Sequence, residues 1–294
     1  MSGPDVSVVI PVHNAAATLR EQLDAVRVAQ LHAAPDDGPC GEILVVDNRS
    51  TDASADVARD WAREHGVDLR VVDASERSGE PFARNAGLAA ARGATVLFCD
   101  ADDRVAPTWI SSMTRALRDT PYATGPIDMH ELNPRWLAEV RGSSVTGRSL
   151  LYDAVPYAHG CNMGFRRDAL VALGGFDETY VAGCDLDIAI RMWEAGYQLG
   201  YDEGAVIHYR LRPTLRDTFR QGRFYGRYRV PIRARLAAAG AAATTDSRTG
   251  RRLLWLLRRA PLAAVHRRTR ARWVWVLGQL VGERIGGREL RVTQ

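Results

Sequence analysis

The 294-residue chain has no lysine: all 39 of its basic residues are arginine. We attribute this absence to genome composition and not to function. Cysteine is scarce, and no two of the four cysteines have the spacing of a zinc finger or a redox motif, which predicts reduced thiols at Cys40, Cys99, Cys161 and Cys184. No apolar run approaches the ~18 residues of a membrane-spanning helix. The first residues lack a basic region followed by a long apolar stretch, so no signal peptide is expected.

Acidic residues are rare in the last part of the chain. Residues 1–210 hold 19 Arg and 31 Asp or Glu, a balance of −12, whereas residues 211–294 hold 20 Arg and 4 Asp or Glu, a balance of +16; together they give the net charge of +4. The whole chain is 46% hydrophobic, enough for one large domain or two small ones. The charge split predicts two regions with different surroundings, 1–210 and a basic, mainly helical extension over 211–294.

The first hundred residues alternate between two kinds of pattern. Stretches with helical periodicity separate four short apolar runs that we predict to be strands: Val6–Ile10, Ile43–Val46, Leu69–Val72 and Thr95–Cys99. This alternation predicts a mostly parallel sheet flanked by helices. Ligands of such sheets bind outside the carboxyl ends of the strands. The polar segments PVHN, DNRSTD and DADD follow the first, second and fourth runs, so they are expected to meet at that edge.

The segment DADD brings three carboxylates, Asp100, Asp102 and Asp103, within four positions of a predicted buried strand. Like charges this close repel one another, and partial desolvation adds to the cost. Mg²⁺ or Mn²⁺ prefers such oxygen ligands, would offset the repulsion, and commonly bridges carboxylates to a diphosphate. The alternative is a turn in which an aspartate caps the helix that follows.

Several motifs occur in a defined order at successive strand ends: SVVIPVHNAAATL, ILVVDNRSTD, FARNAG and LFCDADD, followed by GCNMGFRRDAL, GGFDE and GCDLDIAIR. Over roughly residues 5–210, this set resembles the family 2 glycosyltransferases of the GT-A fold. The resemblance implies an α/β fold with a mostly parallel sheet flanked by helices. It also implies transfer of a sugar from a nucleotide diphosphate with inversion at the anomeric carbon.

The resemblance implies a nucleotide site built from Pro11, His13 and Asn14 after the first strand and Asp47 at the end of the second. Asn48 stands where the family usually has a second acid; it can still hydrogen-bond a base edge, but which base is bound is open. A strand-end turn is the alternative role for Asp47. His13 occupies a position that is often aromatic, and it could stack on the base or belong to a surface turn.

The motif FARNAG implies that Arg84 faces the nucleotide or its phosphates, because a guanidinium donates two parallel hydrogen bonds to phosphate. An ordinary surface arginine is the alternative. Asp100 and Asp102 match the family's DXD motif, with Asp100 towards the ribose or a metal-bound water and Asp102 towards Mn²⁺ or Mg²⁺. His208 is a candidate third metal ligand, since a neutral imidazole can ligate a cation, although a lone histidine is more often packed or on the surface.

The segment GCDLD matches a family motif whose first acid is replaced here by Cys184. The aspartate at position 185 serves as catalytic base in the family, and direct inversion needs a base to take the proton of the acceptor hydroxyl. Asp185 could also cap the helix that follows, and the two roles are compatible. Asp187 is a weaker, acceptor-facing candidate, and Trp109 and Asn162 are candidates to shape the donor-sugar or acceptor site.

The basic extension contains two amphipathic segments, RRLLWLLRR and ARWVWVLGQLV. Arginine and tryptophan around an apolar face suit a helix that lies in a membrane interface with anionic lipid, without spanning it. The alternative is a helical hairpin packed on the acidic catalytic domain. Nucleic-acid binding is a third interpretation, and no recognised nucleic-acid fold supports it. We expect a cytoplasmic protein, and for its extension both peripheral contact with the inner face of the membrane and packing on the catalytic domain stay open.

The combined prediction is an inverting, metal-dependent glycosyltransferase that uses a nucleotide-diphosphate sugar and an acceptor hydroxyl, with a lipid-linked molecule or a polysaccharide as fitting acceptors. A sugar-phosphate nucleotidyltransferase would need a Gly-rich phosphate loop after the first strand, and PVHNAAATL lacks one. A catalytically inactive nucleotide-sugar-binding or membrane-associated scaffold protein remains the alternative outside enzymes, and Cys184 is its one indication.

Overall fold

The computed structural model describes residues 5–33, 40–141, 144–180, 182–241 and 248–292. The chain divides into two compact units. Unit 1 consists of Met1–Asp128, Val145–Ser149 and Pro156–Tyr209, and unit 2 consists of Met129–Ser144, Leu150–Val155 and Arg210–Gln294. Two short segments that precede residue 210 therefore belong to unit 2 together with the basic extension.

The strands within these residues are β1 (Val6–Val12), β2 (Cys40–Asp47), β3 (Leu69–Asp73), β4 (Thr95–Cys99), β5 (Arg104–Val105), β6 (Tyr122–Thr124), β7 (Ile127–Asp128), β8 (Ser149–Leu151), β9 (Val155–Tyr157), β10 (Asn162–Arg166), β11 (Leu199–Tyr201) and β12 (Ile207–His208). The helices are α1 (Leu19–His32), α2 (Ser54–His65), α3 (Glu80–Ala90), α4 (Trp109–Asp119), α5 (Arg135–Arg141), α6 (Arg167–Ala172), α7 (Cys184–Glu194), α8 (Leu215–Ala238), α9 (Arg248–Val265) and α10 (Arg267–Val292).

The main sheet of unit 1 has seven strands in the order β11-β6-β10-β4-β1-β2-β3. Strands β4, β1, β2 and β3 run parallel, as the strand–helix alternation predicts. Most residues of β1, β2 and β4 are apolar and buried on both faces, because helices cover the sheet on both sides, and Ser7 and Glu42 are the buried polar exceptions. The predicted end of β1 at Ile10 is two residues short, since Pro11 continues the extended backbone and pairs with Val46.

Strand β10 is not among the four strands that the apolar runs of the sequence predict. It runs antiparallel between β4 and β6, and Asn162 lies opposite Cys99 in register. Gly164 interrupts the apolar pattern that would indicate a strand in the sequence. Close packing explains the glycine, because a Cβ there would lie 2.9 Å from Leu97 Cδ2 and 3.1 Å from Leu117 Cδ1. The start of β10 is thereby placed beside the segment DADD.

A second, three-stranded sheet of unit 1 has the order β5-β12-β7. Strand β12 is antiparallel to β5, with His208 opposite Arg104, the residue that follows DADD. It is parallel to β7, with His208 opposite Asp128. Pairing in this small sheet therefore places His208 beside the residue that follows the acidic segment DADD.

In unit 2, helices α8 and α10 approach each other closely through glycines on both helices. A Cβ at Gly226 would lie 2.1 Å from the carbonyl oxygen of Gln279, and a Cβ at Gly282 would lie 2.0 Å from the carbonyl oxygen of Arg223. Only glycine fits at such contacts, because the facing atoms are backbone. No helix of the described residues is both long and apolar enough to cross a membrane.

We expect the substitution Gly226→Ala to destabilise unit 2 by about 1–3 kcal/mol, the usual cost of overpacking, because the added methyl group must push the two helices apart. Gly287→Ala on α10 is the matched control: nothing lies within 4 Å of a Cβ there, and alanine is the better helix former by up to about 1 kcal/mol. Urea unfolding followed by tryptophan fluorescence measures both. Equal midpoints for the two variants would contradict the packing argument.

Candidate active site

The predicted site residues of unit 1 come together at the carboxyl edge of the parallel strands. Val12 at the end of β1 pairs with Asp47 at the end of β2, and β4 lies on the other side of β1 and leads directly into DADD. The loops after these strands therefore emerge side by side. This is the edge at which open α/β sheets bind ligands.

The loops after β1 and β2 are tied together by Asn14. Its backbone N–H donates to Ser50 Oγ at 3.0 Å, and its side-chain Oδ1 accepts from the N–H of Thr51 at 2.7 Å. Asn14 and Arg49 have φ values of 55° and 64°, a left-handed conformation that asparagine adopts more readily than most residues. The predicted nucleotide residue Asn14 thus also shapes the edge on which it lies.

The other predicted residues after β1 differ in exposure. Pro11 is half-buried within β1, whereas His13 is exposed. The ring of His13 is oriented by its Nδ1, which lies 2.8 Å from the carbonyl oxygen of Asn48. An exposed, oriented imidazole at this edge is compatible with the predicted stacking on a base.

The two polar residues at the end of β2 are held by the backbone. Asp47 accepts from the N–H of Ser50 at 3.0 Å, which is the strand-end turn considered as its alternative role. Asn48 is buried; its amide nitrogen donates to the carbonyls of Ala74 (2.5 Å) and Arg77 (2.7 Å), and its oxygen accepts from the N–H of Gly79 (2.9 Å). Asn48 therefore braces the loop before α3, and its predicted contact with a base edge stays a prediction.

Arg84 of α3 is 1% exposed, so the alternative of an ordinary surface arginine is wrong. Its guanidinium forms an ion pair with Glu80, donates to the carbonyl oxygen of Gly160 at 2.9 Å and donates to Cys184 Sγ at 3.0 Å. It also lies 3.8 Å from Asp100 Oδ1. Arg84 thus sits beneath the site as its buried positive charge.

The charges around Arg84 keep it ionised although it is buried. Burial disfavours its charged form, but the carboxylates of Glu80, Asp100 and Asp185 outweigh that effect, so the pKa of Arg84 is raised. A buried cation of this kind stabilises nearby carboxylates in return. Arg84 therefore supplies part of the positive charge that the acidic segment requires.

The segment DADD forms a turn and does not cap the next helix, because α4 begins after Thr108. Asp102 is half-buried and Asp103 is 1% exposed. The carboxylates of Asp100 and Asp103 and the sulfur of Cys161 offer ligand atoms that all lie within 4.8 Å of one another. Asp102, the predicted metal ligand, is not a member of this described group.

The donor chemistry of this group suits a hard divalent cation. Asp100 and Asp103 contribute carboxylate oxygens, the ligands that Mg²⁺ and Mn²⁺ prefer. Burial, together with the two aspartates, raises the pKa of Cys161 well above its ordinary value, so Cys161 remains a neutral thiol. A thiolate-binding metal such as Zn²⁺ is the poorer fit, because the group offers two carboxylates and one sulfur.

His208 on β12 is half-buried and oriented by a carboxylate. Its Nδ1 lies 3.0 Å from Asp128 Oδ2. Because an ionised carboxylate can only accept, Nδ1 is the donor in this contact, as in many metal-ligating histidines. Nε2 is therefore the ring atom of His208 that remains for a cation.

Asp185 lies in the first turn of α7, half-buried, and its Oδ2 accepts from the N–H of Gly160 at 3.0 Å. Gly183 is the N-cap of α7, so the predicted capping role of Asp185 is wrong. Burial raises the pKa of Asp185 above its ordinary value, although the charge of Arg84 and the N–H of Gly160 act in the opposite direction. A raised pKa makes the carboxylate a stronger base.

Cys184 takes the place of an acid directly beside Arg84. Burial raises the pKa of Cys184 to about 12 although Arg84 lowers it, so the side chain is a neutral thiol at neutral pH. The carboxylate that forms the close ion pair with Arg84 comes instead from Glu80, one turn earlier on α3. The loss of charge at position 184 is thus compensated within the site.

Three other predicted residues are fully or almost fully buried. Trp109 and Asn162 are both 0% exposed, and Trp109 Nε1 donates to Asn162 Oδ1 at 2.8 Å. Asp187 is 2% exposed and pairs with Arg191 at 2.8 Å. In this structure, none of the three offers surface to a ligand, and their predicted contacts with a sugar or acceptor stay predictions.

Two residues of the site were missed by the sequence analysis. Glu80 precedes Arg84 by four positions, the spacing of a helical ion pair, and that spacing was the available signal. Gly160 donates its N–H to Asp185 and accepts from Arg84 through its carbonyl oxygen. A backbone contact of this kind leaves no signal in side-chain chemistry.

Known proteins similar to this chain are glycosyltransferases. It is 30% identical over 253 residues to the pre-mycofactocin glycosyltransferase of Mycobacterium tuberculosis, covering 80% of this chain and 49% of that protein. It is 28% identical over 227 residues to the glycosyltransferase AglE of Haloferax volcanii, covering 75% of this chain and 72% of that protein. The chain spans about half the length of the first of these relatives.

Solved structures share the fold. A mannosyltransferase from Pyrobaculum calidifontis, PcManGT, solved with GDP-Man and Mn²⁺, superposes with a TM-score of 0.58 at 22% identity over 96% of this chain and 87% of that one. Glucosyl-3-phosphoglycerate synthase from Mycobacterium tuberculosis, solved with Mn²⁺, UDP and phosphoglyceric acid, gives 0.54 at 22% identity over 81% and 78%. At this identity the likeness establishes the fold, which is GT-A as the motifs predict.

Two family models match the sequence. The model of glycosyl transferase family group 2 matches residues 95–282. The model of glycosyl transferase family 2 matches residues 7–174, more than half of the chain and all of the strands that form the parallel edge. The resemblance on which the sequence analysis relied is therefore confirmed, and the chain belongs to glycosyl transferase family 2.

Proposed function

We propose that this protein is an inverting, metal-dependent glycosyltransferase that moves a sugar from a nucleotide-diphosphate donor to an acceptor hydroxyl. One observation carries the proposal: a single buried cation, Arg84, connects the acidic segment to the candidate base. It lies 3.8 Å from Asp100 and donates to the carbonyl of Gly160, whose N–H holds Asp185. This connection supports a metal–diphosphate site and a base at one edge of the sheet.

Asp185 is the proposed catalytic base. The acceptor oxygen attacks C1 of the donor sugar, the bond from C1 to the diphosphate oxygen breaks, and the acceptor proton passes to the Asp185 carboxylate. The N–H of Gly160 fixes one carboxylate oxygen, which limits rotation of the side chain. A single displacement of this kind inverts the anomeric centre.

The residues present fit a divalent cation through their oxygen ligands. Asp100 and Asp103, whose carboxylates lie in one group of ligand atoms, would hold it. Asp102, from the DXD motif, and Nε2 of His208, whose Nδ1 faces Asp128, are the further ligands in this proposal. When bound, the cation would neutralise the charge that develops on the diphosphate leaving group. Whether Mn²⁺ or Mg²⁺ serves is a matter for measurement.

The donor is proposed to lie along the edge formed by Pro11, His13, Asn14 and Asp47. The two solved structures reported above contain GDP-Man and UDP, which supports a nucleotide-sugar donor without selecting the base. The acceptor is a hydroxyl, and a lipid-linked or polysaccharide acceptor is compatible with a basic extension. The amide of Asn48 is bonded to the loop before α3, so contact of Asn48 with a base edge stays a prediction of the family resemblance.

The test is release of nucleoside diphosphate from a panel of UDP- and GDP-sugars, with Mn²⁺, with Mg²⁺ and with EDTA. We expect slow donor hydrolysis that requires a divalent cation, and a loss of at least about 100-fold in Asp102→Ala, because charge stabilisation of the leaving group is lost. Asp60→Ala is the control, an aspartate on the exposed side of α2. NMR of the product in a transfer assay reports inversion.

Three results would contradict parts of the proposal. Full activity in EDTA would show that the reaction does not need a metal. Full activity of Asp102→Ala would show that Asp102 is not a required metal ligand. Donor binding in a thermal-shift assay without any release would favour the alternative of an inactive nucleotide-sugar-binding protein.

A further inference from the structure

We propose that one face of α9 in unit 2 binds the surface of an anionic phospholipid membrane, with the helix parallel to that surface. Five large apolar side chains of α9 are exposed: Leu253 (51%), Leu254 (47%), Leu257 (74%), Leu262 (39%) and Val265 (75%). At 3.6 residues per turn, all of them except Leu262 fall within roughly 120° of the helix circumference. We call Leu253, Leu254, Leu257 and Val265 the apolar stripe. A contiguous exposed stripe of this kind marks a binding surface.

The opposite face of α9 is fixed within unit 2, so the apolar stripe has a defined direction. Leu256 and Ala263 are 6% and 7% exposed. Arg252 donates to Glu283 of α10 at 2.8 Å, and Trp273 of α10 donates its indole N–H to the carbonyl oxygen of Leu256 at 2.9 Å. These contacts prevent the helix from rolling to bury the stripe against α10.

The charges beside the apolar stripe favour an anionic membrane as its binding partner. On a helical wheel Arg251 and Arg258 border it next to Leu254 and Val265, both arginines are exposed, and neither forms an ion pair with another described residue. Residues 211–294 carry a balance of +16. Unpaired arginines beside exposed leucines match the phosphates and acyl chains of anionic lipid. A second copy of the chain would bring the same arginines together, which is unfavourable.

The membrane contact is peripheral. No helix of the described part of the chain is able to span a bilayer. The 18 residues of α9 include Arg251 and Arg258, which border the stripe, Arg252 and Arg259 on other faces of the helix, and Pro261. A helix with one apolar face and a basic rim lies in the interface plane with its apolar side chains at the headgroup boundary.

The experiment is co-sedimentation of the full chain with vesicles, either of phosphatidylcholine alone or of phosphatidylcholine and phosphatidylglycerol in equal parts. We expect binding to the anionic vesicles, at least about tenfold weaker binding to the neutral ones, and weakening by salt. The double variant Leu254→Gln, Leu257→Gln should bind anionic vesicles at least about tenfold less tightly. Arg251→Gln with Arg258→Gln should reduce the preference for anionic lipid.

Leu31→Gln is the matched control, since Leu31 of α1 is 72% exposed and lies in unit 1. It should bind vesicles as the wild type does. An unchanged urea midpoint of the double leucine variant establishes that its fold is intact, as expected for exposed positions. Absence of vesicle binding by the wild type, equal binding by the double leucine variant, or a wild-type dimer that the leucine variant dissociates would each overturn the proposal.

Discussion

The substitution Asp185→Asn is expected to lower kcat by about 10²–10⁴-fold while leaving the affinity for the donor within about twofold, because asparagine keeps the shape but cannot accept the proton of the acceptor hydroxyl. Its amide oxygen can still accept from the N–H of Gly160, so the local structure should survive. Steady-state transfer kinetics give kcat, and calorimetric titration with the nucleotide sugar gives donor affinity.

The pH dependence of the wild-type activity is a second test of Asp185 as the base. Burial raises the pKa of Asp185 above its ordinary value, and the base is active only when ionised. Activity should therefore rise with pH through the raised pKa of Asp185, and the acid limb should lie above the range of an exposed aspartate. The acid limb should be missing from any residual activity of Asp185→Asn.

Asp168→Asn, an exposed aspartate at the start of α6, is the control and should behave as the wild type. Normal turnover of Asp185→Asn would exclude it as the base. A large loss of donor affinity with unchanged kcat would assign Asp185 to donor binding instead.

The substitution Arg84→Met is expected to destabilise unit 1 by about 3–5 kcal/mol, the usual cost of removing one partner of a buried charge pair. Arg84 is 1% exposed and neutralises Glu80 and Asp100, which would then repel each other and Asp185 without compensation. The measurement is the free energy of unfolding in urea. Activity should fall as well, since Gly160 loses the donor that fixes its carbonyl.

Arg84 acts through Asp185, so it is a positioning residue, and the pH profile separates that role from mere stability. The charge of Arg84 lowers the pKa of Asp185. Its removal should move the acid limb of the activity profile to higher pH. Arg84→Lys keeps the positive charge but loses the planar set of guanidinium donors. Compared with Arg84→Met, it should return the acid limb close to its wild-type pH but should recover less of the wild-type rate.

The control is Arg59→Met, which removes an exposed arginine from an i,i+3 pair with Asp56 on α2. Exposed pairs contribute little, so its urea midpoint should be close to that of the wild type. If Arg84→Met and Arg59→Met were equally stable and had the same acid limb, the central role of Arg84 would be wrong.

The sequence predicts the parallel half of the sheet well, because period and composition are local properties. Strand β4 was placed with the bounds that the structure has, and the loops with Asp47 and Asp100 were assigned to the correct edge. The family and its fold follow from ordered motifs at those strand ends, and both are confirmed.

Contacts between distant segments could not be predicted in the same way. Strand β10 pairs with β4 across sixty residues, and Gly164 gives it no apolar pattern. The burial of Arg84 depends on Gly160 and Cys184, which are remote in sequence. The buried positions of Trp109 and Asn162 likewise depend on the fold around them and not on their local sequence.

The central claim is that the carboxylates of DADD share one pocket with a divalent cation and a diphosphate. Anomalous diffraction from a crystal grown with Mn²⁺ and a nucleoside diphosphate tests it most directly. The account predicts a manganese peak within ligand distance of the carboxylates of Asp100–Asp103, on the side of the sheet edge that carries Asp185. A nucleotide bound at that edge without manganese at these carboxylates, or manganese bound elsewhere, would contradict it.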